Sequence, residues 1–155
     1  MSSYLNFYLR LNDTFVSIGN YSSNNFIYQI FKGYVPYEHI SALTVNKINE
    51  IINDIKEEIN SVKELQQKDK DTINLIMDAK NTSIDEKLHV VTEYKDTIAE
   101  RDDYIENLKN TIRTLEVYYD MICEYHWYNE QNFTNKHNEY IYAGIEASGN
   151  LESIV

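Results

Sequence analysis

From residue 4 to residue 11 apolar and polar side chains alternate. Leu5, Phe7, Leu9 and Leu11 fall on one side, Tyr4, Asn6, Tyr8 and Arg10 on the other. A period of two in β-prone residues, interrupted by Asn12-Asp13 and resumed in "TFVSIG", predicts a β-hairpin over 4–19. The period changes in "SSNNFIYQIFKG" (22–33), where Phe26, Ile27, Ile30 and Phe31 recur at helical spacing. Ser22 or Ser23 is the expected N-cap of this short helix and Gly33 its expected end. "YVPYEHISAL" (34–43) holds the only proline and reads as a connector, after which Thr44 can cap a new helix.

Beyond Thr44 the pattern becomes a sustained seven-residue repeat. Ile48, Ile55, Val62 and Ile76 share one register, flanked by Ile51, Ile52, Ile59, Leu65 and Ile73. A second run, Ile84, Val91, Ile98, Ile105, Ile112 and Tyr119, keeps the period and is joined by Tyr94, Leu108, Leu115 and Ile122. Heptads maintained over this length predict coiled coil.

Whether the chain runs straight or turns back is decided at "NTSIDEK" (81–87). Ser83 followed by Glu86 is a capping box, and Asp85 and Glu86 suit the positive end of a new helix. Asn81 can adopt the left-handed conformation that ends a helix, and Lys80 suits the preceding helix's negative end. A reversal centred on residue 82 makes facing positions total about 164. Ile76 then meets Leu88, Ile73 meets Val91, Ile59 meets Ile105, Ile52 meets Ile112 and Ile48 approaches Leu115. The acidic interruption, Asp69, faces Lys95, a pairing that can fix register. Arg101 falls near Val62 and Glu58.

The predicted fold is therefore mainly α, of α+β type. A small N-terminal head (1–43) carries the β-hairpin and short helix. An antiparallel coiled-coil hairpin (44–120) turns near 81–83, and a C-terminal segment (121–155) packs back on the head. Twelve of the fourteen tyrosines lie in 1–43 or 118–155, with Trp127 and all five phenylalanines, which is why the head is placed there. Within the C-terminal segment "EYIYAGI" (139–145) alternates and could add a strand.

Composition narrows the function classes. The chain has 155 residues with 25 acidic against 14 basic side chains, a net charge of -11. That charge opposes direct binding to nucleic-acid phosphates or anionic lipid surfaces. One cysteine, Cys123, excludes a disulfide framework. Neither a signal peptide nor an apolar run of the ~20 residues needed to cross a bilayer is present, so a cytoplasmic or virion location is expected.

No phosphate-loop, dinucleotide, hydrolase, zinc-protease or EF-hand motif occurs, so neither an enzyme nor a cofactor is expected. Cys123, His126 and His137 are the best metal candidates on spacing, but a small buried cysteine beside surface histidines explains them as well, and no metal site is assigned. His39 and His89 read as surface residues. Asp102–Asp103 and Glu57–Glu58 are adjacent carboxylates on different sides of a helix and do not make a catalytic pair.

Residues 118–155 hold six acids and one lysine among dense aromatics. Tyr118, Tyr119, Tyr125, Trp127, Tyr128, Tyr140 and Tyr142 are therefore candidates for a protein-recognition surface. The expected function is a non-enzymatic coiled-coil assembly protein working through protein partners or copies of itself. Usage heavy in Asn, Ile, Lys and Tyr suits an AT-rich genome, and a bacteriophage particle is the expected setting. The competing expectation is a small acidic inhibitor that fills a basic groove on an enzyme.

Overall fold

The computed structural model describes residues 3–11, 14–132 and 140–146. The chain is mixed α+β, with strands β1 (Tyr4–Leu11) and β2 (Thr14–Ser22), helix α1 (Phe26–Phe31), strand β3 (Ile40–Thr44), helices α2 (Val45–Asp78) and α3 (Ile84–Asn132), and strand β4 (Tyr140–Glu146). It divides into two compact units. A sheet unit comprises Met1–Ile52 with Arg113–Val155, and a helix unit comprises Asn53–Ile112. The division read from the pattern follows secondary structure, whereas compactness cuts within both long helices.

In the sheet unit the four strands run antiparallel in the order β2-β1-β4-β3. The predicted hairpin forms β1 and β2. It closes with Leu11 opposite Thr14 and carries a bulge where Phe7 pairs with Gly19 but Tyr8 with Ser17. Its turn at 12–13 lies outside the described residues. β4 fills the centre of the sheet, with Phe7 opposite Ala143 on one side and Leu43 opposite Ile141 on the other.

Strand β3 corrects the expected connector over 34–43. Only Leu43 of its five residues is buried, so its own alternation is faint. Its extended state is fixed by ladder bonds to β4, which no local pattern reports. Pro36 and Glu38, which has a positive φ of 59°, turn the chain into that edge position.

One face of the sheet forms the core. Leu5, Phe7, Leu43, Ile141, Ala143 and Ile145 are buried, as are Ile27 and Phe31 of α1. Phe7 packs edge-on to Phe31 at 5.2 Å and lies 4.6 Å from the ring of Tyr118 on α3. Ile48, Ile51, Leu115 and Ile122 complete the buried set from the helix segments in this unit. Each such side chain contributes about 1.5–3 kcal/mol of transfer free energy when fully buried. The cap of α1 is Asn25, whose side chain accepts from the Ile27 amide, rather than Ser22 or Ser23.

The long helices start as their caps require. Thr44 Oγ1 accepts from the Lys47 amide at 3.1 Å, and Ser83 Oγ accepts from the Glu86 amide at 3.2 Å. The end of α2 differs from expectation. Among the described residues only Glu38 combines a side chain with positive φ, so Asn81 does not terminate the helix by a left-handed turn. Instead Lys87 Nζ donates to the Met77 carbonyl at 3.2 Å, and the Ala79 amide donates to Ile76 O. A cation thus satisfies one of the orphaned carbonyls of the last turn.

Candidate interaction surface

Side chains of α2 and α3 meet in nested order within the helix unit. Beyond the Lys87–Met77 bond, Asp69 pairs with Arg101, Gln66 Nε2 donates to Ile98 O at 3.0 Å and to Asp102 Oδ1 at 2.7 Å, and the Tyr104 hydroxyl donates to Glu58 at 3.3 Å. Leaving aside the Gln66–Ile98 bond, partner numbers rise on α3 as they fall on α2, from Met77–Lys87 through Asp69–Arg101 and Gln66–Asp102 to Glu58–Tyr104. Asp69 therefore pairs with Arg101 and not with Lys95, which is exposed. Burial and the Glu58 carboxylate raise the pKa of Tyr104, keeping its hydroxyl a donor.

The expected seam residues differ in burial along the pair. Ile55, Ile59, Val62, Val91, Ile105 and Ile112 are buried in the helix unit; Ile48, Ile52 and Leu115 are buried in the sheet unit. Nearer the turn Ile73, Ile76 and Ile98 are only half-buried and Leu88 is exposed.

Apolar side chains stay uncovered at the turn end of the helix unit, as does Leu65 nearer the middle of α2. Ile84 is 74% exposed, Leu75 73%, Leu88 52% and Met77 49%. On α3, Ile84 and Leu88 stand seven and three residues before buried Val91, so they continue its stripe. That stripe is uncovered because α2 stops at Asp78 and the residues that follow, Ala79 to Ser83, are small or polar apart from the long Lys80. Leu75 and Met77 flank Ile76 on either side. Exposed apolar residues gathered at one place are a mark of a contact surface, whereas scattered ones are not.

Residues 65–89 carry Lys68, Lys70, Lys80 and Lys87 against Asp69, Asp71, Asp78, Asp85 and Glu86, a net charge of -1 that leaves -10 for the rest of the chain. The excess acid lies mainly in 114–155, with seven acids and one lysine, whereas 1–43 carry no net charge.

The aromatic candidates separate by position. Tyr118 is buried against Phe7 and its hydroxyl lies 3.3 Å from that of Tyr21, so it serves the core of the sheet unit and offers no recognition surface. Burial, then the contact with Tyr21, pushes its pKa well above the ordinary tyrosine value. Tyr119 is half-buried, as is Tyr142, whose ring packs edge-on to Phe15 at 5.0 Å. The side chains of Tyr125, Trp127, Tyr128 and Tyr140 lie outside the described residues.

Cys123 is exposed, which corrects the expectation of a small buried cysteine; the side chain of His126, and His137 altogether, lie outside the described residues. Among the described residues no group of three His, Cys, Asp or Glu side chains is placed to hold a metal ion. His39 and His89 are exposed, and His89 contacts Glu93 at 3.4 Å. Asp102 and Glu58 each accept a hydrogen bond across the helices, a positioning role that their adjacency to Asp103 and Glu57 did not suggest. Among the described residues no helix is long and apolar enough to cross a membrane.

Compared with protein-family models, with curated proteins and with solved structures, the chain matches none. The functional reading therefore rests on the residues alone.

Proposed function

We propose that this chain is a non-enzymatic assembly protein whose helix unit is an antiparallel coiled-coil hairpin and whose turn end is its contact surface. The hairpin reading is supported by the nested order of the Asp69–Arg101, Gln66–Asp102 and Glu58–Tyr104 contacts between α2 and α3. The observation that carries the function is the exposure of Leu75, Met77, Ile84 and Leu88 together at one end of that unit. Leaving such side chains in water forgoes about 1.5–3 kcal/mol each, which a protein partner recovers by covering them. The setting we propose is a bacteriophage particle or its assembly, on the AT-rich character of the composition.

Light scattering coupled to size-exclusion chromatography tests this. An assembly protein gives a mass at a multiple of 18.3 kDa, or a monomer that retains a stoichiometric protein partner and releases it on Leu75→Lys. A monomer that retains nothing, or a partner held equally well by Leu75→Lys, contradicts it.

The acidic-inhibitor reading is favoured by the charge of -10 outside the turn end. It requires a partner lost steeply with added salt and indifferent to Leu75→Lys.

A further inference from the structure

Resting on the hairpin reading, we propose that the helix unit carries a hinge. A polar layer of Gln66, Asp69, Arg101 and Asp102 divides it into a base that stays closed and a tip, residues 70–97, that opens and closes as a unit of its own.

Burial changes abruptly across that layer. On the base side Ile55, Ile59 and Val62 of α2 and Ile105, Leu108 and Ile112 of α3 are all buried. On the tip side, from Lys70 to Glu100, Val91 is the one buried side chain. A single buried aliphatic residue does not offset the ordering of the backbone on both sides of the turn, so the tip is the low-stability part of the unit. The helices are also weaker there. Thr72, Thr92 and Thr97 return their hydroxyls to the carbonyls of Lys68, Leu88 and Glu93, one turn back, a bond that competes with helix formation; Thr111 does so on the base side.

The layer is where the two parts can come apart. Across it α2 and α3 are joined by polar bonds, Gln66 to Ile98 O and Asp102, and Asp69 to Arg101. Asp102 is exposed and the Asp69–Arg101 pair is partly so, which lets water replace these bonds at little net loss. Apolar packing, which would make one part fall with the other, is interrupted at this point. Opening adds Ile73, Ile76 and Val91 to the apolar side chains already in water at the turn end.

Native-state hydrogen exchange on the full-length protein tests the hinge. Amides of 70–97 should be at least tenfold less protected than those of 55–62 and 105–112, with a step at the polar layer on both helices. Val91→Ala should lower protection of the tip about tenfold and leave the base unchanged within twofold. Ile59→Ala should do the reverse, lowering the base at least threefold and leaving the tip unchanged within twofold. If Ile59→Ala does not fold, the unsubstituted profile and Val91→Ala decide. Equal protection throughout the unit overturns the hinge. So does a smooth decline from base to turn, which is fraying without a second cooperative unit, and so does loss of base protection in Val91→Ala. A short spin-label distance across the helix pair with equal protection throughout leaves the hairpin standing and the hinge refuted; a rod-like distance removes the hairpin itself.

Discussion

Gly19 and Tyr118 show how closely the sheet unit is fitted at single residues. A Cβ on Gly19 would collide with the Tyr118 hydroxyl and crowd the Tyr21 ring, so only glycine leaves room for the hydroxyl pair. Gly19→Ala should cost about 1–3 kcal/mol in denaturant unfolding, the usual penalty of overpacking. Because the collision is with the hydroxyl, Tyr118→Phe should recover part of that loss, and the double variant should be more stable than the sum of the two. Tyr118 also sets a pH dependence. Its pKa is raised in the fold from the ordinary 10.0, so above about pH 10 the unfolded chain loses a proton that the folded chain keeps. Stability is fully present below that pH and falls as pH rises past it; Tyr118→Phe should flatten this alkaline limb. None of this was legible from "VYYD", where Tyr118 reads as a ring available for recognition. Its fate is set by Phe7, Gly19 and Tyr21, from strands at the other end of the chain.

At the scale of elements, the caps at Thr44 and Ser83 and the strands of the N-terminal hairpin were legible because their causes are local. β3 was not, because five residues with one buried side chain carry too little alternation to mark a strand. Of the contacts expected between the long helices, one is replaced. Gln66 and Ile98 total 164, the expected register, yet Asp69 meets Arg101 instead of Lys95. Side chains on a helix lean toward its N-terminus. Asp69 leans toward the start of α2 and Arg101 toward the start of α3, which brings the two together although Arg101 lies six residues beyond Lys95. Asp69→Arg should destabilise the helix unit by about 1–3 kcal/mol. Adding Arg101→Asp should restore at least half of that, and a double-mutant cycle on thermal unfolding measures the coupling. Adding Lys95→Asp instead should restore nothing.

For the whole molecule, composition made the acidic character plain; position along the chain shows where it lies, with seven acids and one lysine in 114–155 and no net charge over 1–43. Uncovered Ile84 and Leu88 look like ordinary seam residues in the heptad pattern; it is the early end of α2 that strips them of a partner. Raising ionic strength from about 0.01 to 0.15 M shortens the Debye length from ~30 to ~8 Å and screens the repulsion between acidic copies. Association through an apolar end should therefore tighten with salt, as sedimentation velocity at the two salt levels would show. An acidic mimic bound to a basic groove would be released.

All of this depends on the chain turning back between α2 and α3, so that one end of the helix unit gathers Leu75, Ile84 and Leu88. The direct test is a distance between spin labels at Glu57 and Asn107, both exposed, in a Cys123→Ser background. Packed antiparallel helices lie 8–10 Å apart, which with label linkers gives a distribution centred at about 10–25 Å. A continuous rod would separate the same positions by about 75 Å, and a distribution near that value would contradict the hairpin and the contact surface together.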